Sequence, residues 1–180
     1  MDEFGMSSLD PAAEQGPTGV DPARFRHALG HFCSGIVIVT AMEGGRPVGL
    51  TCQSFLSLSL DPPLVGFSPA KTSLSYPSIR QAGSFCSIML TEEQGVLCAG
   101  FARSNVDKWL GVQWSPGTTG SPMLDGALAS IDCLIEAEYD AGDHFFVVGK
   151  VIDVVTSEAE PLLFFRGGYR VLGGETAVPA

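Results

Sequence analysis

Basic residues are scarce in this sequence: ten Lys and Arg against twenty Asp and Glu give a formal charge of −10 over 180 residues. They are also scattered, so there is no dense cationic footprint for a phosphate backbone, and nucleic acid is excluded as a partner. A small anionic ligand is not excluded, because a few local donors can hold one phosphate on an acidic protein. Long hydrophobic runs are missing too: "GIVIVTAM" and "HFFVVGKVIDVV" are too short or too interrupted to span a bilayer, and no membrane span is predicted. The cysteines, Cys33, Cys52, Cys86, Cys98 and Cys133, form no CxxC pair, which weakens zinc and dithiol readings and leads us to expect reduced thiols in a cytoplasmic protein. No GxGxxG follows a strand and no GxSxG elbow occurs, so neither a dinucleotide-binding parallel sheet nor an α/β-hydrolase is expected. The N-terminus has acids where a signal peptide needs bases; residues 1–20 and 174–180 are expected to be tails around one domain, 21–173.

What is present is a globular balance, 45% hydrophobic and 17% charged, with room for one core. Asp21 followed by Pro22 starts a helix whose Phe25, Ala28, Leu29 and Phe32 share a face, ending near Ser34 and Gly35. "GIVIVTAM", the turn "EGGR" and "PVGLTCQS" form a hairpin. Leu56, Leu58 and Leu60 then alternate with Ser57 and Ser59, so that the leucines are expected to face the core. Lys71 to Gln81 is expected to be a helix capped by Thr72 and Ser73, and "TEEQGVLCAGFAR" a second with a Thr cap. Ser104 to Gly126 reads as a long loop carrying Trp109 and Trp114. About six to eight strands with a few helices and no regular alternation favour a mainly β protein, an antiparallel barrel.

Several clusters invite chemistry. His27 and His31 have the four-residue helical spacing of a metal pair, but Ala28 stands where HExxH has its glutamate and no third ligand is near, so no metal is expected. Asp143 and His144 are sequence neighbours, which on a strand point to opposite faces and would not form a catalytic dyad. Gly142 and Asp143 form a turn that would deliver His144 to the mouth of a strand, where it is either a surface residue or part of a site. In "PAKTSLSYPSI", Lys71 precedes the hydroxyls of Thr72, Ser73 and Ser75 at an expected helix start, where backbone N–H groups attract an anion. "GLTCQSFLSLSLDPPLVGF" reads either as a half-exposed hairpin or as a polar shelf for a flat ligand.

Together with "SLSYPSIRQAGSF", "LCAGFARSNVDKW", "GSPMLDGALASIDC", "AGDHFFVVGKV" and "PLLFFRGGYRVL", this stretch makes the chain resemble the short-chain flavin reductases, from about Phe25 to Leu172. The resemblance implies a split antiparallel β-barrel and a homodimer with flavin in a groove by the dimer interface. It implies an NAD(P)H-dependent enzyme that reduces FAD or FMN with NADH or NADPH and supplies reduced flavin to a partner monooxygenase. Thr51, Cys52, Gln53, Ser54 and Ser57 would meet the isoalloxazine, and Lys71, Thr72 and Ser73 the flavin phosphate. His144 would sit at the nicotinamide side, Lys108 and Trp109 would approach from the long loop, and Arg166 and Tyr169 would close the pocket. Ile88 replaces an asparagine common in relatives and removes one expected polar contact. A split-barrel protein that binds flavin, pyridoxal phosphate or haem without reductase activity, or a structural β module, remains the alternative.

Overall fold

The computed structural model describes residues 19–104 and 106–173. The tails expected at 1–20 and 174–180 lie outside these residues, apart from Gly19 and Val20. Helix α1, Pro22–Leu29, begins as expected: Asp21 Oδ2 accepts from Arg24 N at 2.8 Å and Pro22 occupies the first turn. It stops at Gly30, short of Ser34, and none of its residues is buried; Phe25, Leu29 and Phe32 are 55%, 56% and 78% exposed. Strand β1 (Ser34–Gly35) precedes the hairpin of β2 (Val37–Glu43) and β3 (Arg46–Cys52), turned by Gly44 and Gly45 at φ 56° and 76°, values that suit a two-residue hairpin and glycine. Then come β4 (Phe55–Leu60), β5 (Pro63–Phe67), α2 (Tyr76–Ala82), β6 (Ser84–Met89), a 3₁₀ turn over Glu92–Gln94, and α3 (Gly95–Ala102). The stretch expected to be a loop holds a small hairpin of β7 (Trp114–Pro116) and β8 (Pro122–Leu124). Two long strands, β9 (Ala129–Ala141) and β10 (His144–Thr156), and a last hairpin, β11 (Leu163–Phe165) and β12 (Gly168–Arg170), complete the chain.

Seven strands form one sheet in the order β3-β2-β6-β9-β10-β5-β4, every neighbouring pair antiparallel. Its edges, β3 and β4, are consecutive in the chain and joined by Gln53 and Ser54, yet no ladder links them. The protein is therefore mainly β with few helices, and its sheet is not closed into a barrel. Strands β1, β11 and β12 form a second sheet and β7 with β8 a third. These five segments are two or three residues long, too short to leave a periodic signal, which is why the sequence suggests fewer strands.

Strand β2 lies inside the sheet and is buried on both faces. Val37, Val39 and Ala41 pack with Phe67, Tyr76, Ile79 and Phe85, while Ile38 and the preceding Ile36 pack with Ile88, Leu90, Cys98 and Phe101. Double-sided burial explains why "GIVIVTAM" shows no polar alternation. On edge strand β4 the expected burial fails: Leu56, Leu58 and Leu60 are 42%, 39% and 91% exposed. A register shift between Ser57 and Ser59 interrupts the alternation: Leu56 lies opposite Gly66 and Leu60 opposite Pro63, on different faces of the strand, and neither is well covered among the described residues.

Candidate active-site groove

A groove of about 1100 Å³ opens along the β3 edge. An edge strand has a ladder partner on one side only, so backbone groups of β3 remain for another use. The floor is the quoted shelf: Gly49, Leu50, Thr51, Cys52, Gln53 and Ser54 all line it. Two of its hydroxyls are held by the protein. Thr51 Oγ1 donates to Cys98 O at 2.9 Å, and Ser54 Oγ donates to Ser68 O at 3.0 Å while accepting from Ser68 N at 3.1 Å. Cys52 Sγ lies 3.2 Å from Ser54 Oγ. Gln53 is exposed, and its side chain makes no hydrogen bond among the described residues, so it stands ready as a donor and acceptor.

One end of the groove is rich in hydroxyls. Thr72, Ser73, Ser75 and Ser78 line it. The helix expected from Lys71 begins only at Tyr76, because Pro77 suits its first turn and Ser73 Oγ accepts from Tyr76 N at 3.2 Å. Lys71 therefore precedes the helix by a turn of loop and points elsewhere: Nζ pairs with Asp140 at 2.5 Å and lies 5.3 Å from the Phe145 ring centroid. Lys108 supplies the cation instead. Its Nζ donates to Gly49 O at 3.1 Å and Ser75 Oγ at 3.4 Å, spanning the groove, and burial lowers its pKa.

The other wall is aromatic. Phe101 and Trp109 meet edge to face at 5.0 Å, as do Phe164 and Tyr169 at 5.8 Å, and all four line the groove. The Tyr169 phenol is pushed up to about 12 by burial first and by Cys98 second, so it stays protonated and can donate. Cys98 rises as well, mainly from burial.

His144 enters from the β9–β10 turn. Gly142, at φ 66°, turns the chain, and Phe145 N donates to Pro69 O at 3.0 Å while Lys71 N donates to Asp143 O at 2.9 Å. Contrary to the alternation argument, Asp143 and His144 do interact: His144 Nδ1 lies 2.7 Å from Asp143 Oδ1. Asp143 belongs to the turn, not to the strand, so strand alternation does not govern it. The contact lowers the Asp143 pKa, chiefly through the hydrogen bond itself. With Nδ1 engaged, Nε2 is the imidazole nitrogen left for a ligand.

Thus Thr51, Cys52, Gln53, Ser54, Thr72 and Ser73 come together, and Lys108, Trp109, His144 and Tyr169 join them. Ser57, Lys71 and Arg166 do not line the groove. Ser57 sits on β4 beyond the shelf beside a register shift; Arg166, at φ 50° in the β11–β12 turn, lies 5.0 Å from the Phe165 ring centroid. Ile88 is fully buried among Cys98, Phe101 and Leu124 and does not line the groove. His27 and His31 are away from the groove, with ring centroids 4.8 Å apart. Residues not singled out from sequence include Ser78, Phe101 and Phe164. Ser78 follows Ser75 by one helical turn, a readable signal; the two phenylalanines arrive by long-range packing that no local pattern announces.

The chain belongs to the flavin reductase like domain family, which matches residues 29–173. It is 47% identical over 176 residues to the reductase subunit HsaB of a flavin-dependent monooxygenase from Rhodococcus jostii strain RHA1, covering 97% of this chain and 90% of that one. The crystal structure of nitrilotriacetate monooxygenase component B from Mycobacterium thermoresistibile superposes with a TM-score of 0.84 at 45% identity, covering 88% of this chain and 90% of that one. The NADH:FAD oxidoreductase SgcE6 of Streptomyces globisporus C-1027, solved with NAD and FAD fragments, gives 0.79 at 33% identity over 83% of this chain and 92% of that one.

Proposed function

We propose that this protein is an NAD(P)H-dependent flavin reductase that supplies reduced flavin to a partner monooxygenase. The observation that carries the reading is the groove at the β3 edge, where one shelf of amide, hydroxyl and backbone groups lies between an aromatic wall and a hydroxyl-and-lysine end. That donor set suits a flavin: Gln53 and the edge backbone for the polar margin of the ring, Phe101 and Trp109 for its apolar surface, and Thr72, Ser73, Ser78 and Lys108 for its phosphate. Bound flavin supplies an acceptor for a hydride from the nicotinamide, a transfer that needs ring alignment more than a protein acid or base. His144 Nε2, with its ring oriented by Asp143, would hold the nicotinamide end; Tyr169 and Thr51 would limit water at the floor. FAD and NADH are the preferred pair, with FMN and NADPH as the alternatives.

The fold is taken as the split-barrel form in which β3 and β4 come together through Gln53 and Ser54 without pairing, within a single domain over 21–173. The exposed leucines of β4 support a homodimer, and five free thiols support a cytoplasmic setting. Among the described residues no helix is long and apolar enough to cross a membrane.

The test is steady-state NADH consumption with FAD, with FMN and without flavin, in wild type and His144→Ala. Flavin-dependent turnover is expected, and the substitution raises the KM for NADH about tenfold with little change in that for flavin. No flavin-dependent turnover would leave the chain a non-catalytic binder; an unchanged NADH dependence would remove His144 from the site.

A further inference from the structure

The β7–β8 hairpin packs on β2 and β6 of the large sheet, and its tip is fixed by a buried carboxylate. Asp132, on β9, is 1% exposed and uses both oxygens on one residue: Oδ2 accepts from Thr119 N and Oδ1 from Thr119 Oγ1, each at 2.6 Å. Gly117 presses on the same carboxylate, where a Cβ would lie 2.7 Å from Oδ2. Thr119 Oγ1 also lies 2.9 Å from Ser121 Oγ, and Thr118 Oγ1 donates to Asp153 Oδ2 at 2.7 Å. A buried carboxylate is costly unless such donors meet it, so Asp132 is tolerable only with the 117–121 turn in place. Along the hairpin from this tip stands Trp114, paired with Leu124. Its ring centroid is 6.2 Å from that of Trp109, which meets Phe101 and lines the groove beside Lys108.

We propose that Asp132 and Thr119 form a positioning latch for the flavin-binding wall, acting through Trp114 on Trp109. Neither lines the groove, so both act through the hairpin. The function of the latch rests on the flavin reductase reading; its structural half does not. Thr119 is the better probe of the two, because Thr119→Val removes one donor to a carboxylate whose other contact is a main-chain N–H, whereas Asp132→Ala would also open a cavity in the core.

The chain has two tryptophans, Trp109 and Trp114, so near-ultraviolet circular dichroism and fluorescence report on this stack alone among indoles. Full-length wild type, Thr119→Val, Thr119→Ser and a control, Ile79→Val in the other core cluster, are compared. In Thr119→Val the tryptophan dichroism is expected to weaken and the flavin KM to rise about fivefold or more, with the NADH KM unchanged. Thr119→Ser restores both, and Ile79→Val lowers the melting temperature without either change. Unchanged tryptophan dichroism and flavin KM in a folded Thr119→Val protein would overturn the latch, as would parallel rises of both KM values in Thr119→Val and Ile79→Val. If wild type oxidises no NADH with flavin, the reductase reading fails, while the tryptophan signal still decides whether the hairpin is latched.

Discussion

The two edges of the seven-stranded sheet are neighbours in sequence and differ in use. Along β3 the edge is overlaid by the groove, with Lys108 reaching Gly49 O and Thr51 tied to Cys98 O. Along β4 no comparable cover exists among the described residues, and Leu56, Leu58 and Leu60 are exposed. Both strands carry apolar residues, so pattern alone does not distinguish them. What separates them is whether another element of the same chain packs on top: α3 lies on β3, and β4 meets only β5 as a ladder partner. The proposed homodimer would cover this apolar strand with a second copy of the chain.

The contrast can be broken from the β4 side first. The double substitution Leu56→Lys and Leu58→Lys, on the Gly66 side of β4, is expected to weaken self-association by about a hundredfold or more, because charged side chains would have to be desolvated at the interface, while the monomer keeps its strand content. Sedimentation velocity over a range of concentrations checks this; a wild-type chain that stays monomeric would show that the β4 leucines serve no dimer. From the β3 side, Gly49→Ala places a Cβ 2.7 Å from a Phe101 ring carbon and 3.3 Å from Val39 O. The ring is 1% exposed and already packed on Trp109, so it has little room to yield, and unfolding in urea should show a loss of about 1–3 kcal/mol. Stability equal to wild type would mean that the groove wall gives way freely.

The smallest effect is expected between the edges. Ser87, on β6, is fully buried and its hydroxyl has no hydrogen-bond partner among the described residues. Ser87→Ala removes an unsatisfied polar group and should leave stability unchanged or raise it by about 1 kcal/mol. A clear loss in the same urea titration would show that the hydroxyl has a partner after all.

Much of this was legible in the sequence where the signal is local. The Asp21-Pro22 start and the Gly44-Gly45 turn form as their residues require, since each depends on neighbours within a few positions; the Thr91 cap forms too, but on the 3₁₀ turn ahead of α3 and not on α3 itself. The shelf from Gly49 to Ser54 stands out in the sequence because its hydroxyls and amide break an apolar run, and it lines the groove. Lys71, expected at the flavin phosphate, pairs with Asp140, which lies far along the chain, and the helix starts later than the hydroxyls suggest, so neither feature is legible from local sequence. Asp143 and His144 were separated by a strand rule that does not reach into a turn. The leucines of β4 read as core residues from sequence because alternation shows that a strand has two faces, not which face is covered.

Flavin is expected to be reduced in the groove and then to leave the protein. Protein, NADH and flavin are placed anaerobically on one side of a dialysis membrane that retains the protein, with oxidised flavin on both sides and NADH small enough to cross. A control chamber holding NADH and flavin without protein sets the uncatalysed rate. Bleaching of the flavin absorbance is expected on both sides, well ahead of the control, as reduced flavin exchanges across the membrane. Bleaching confined to the protein compartment while the other side follows the control, or no bleaching beyond the control on either side, would contradict it.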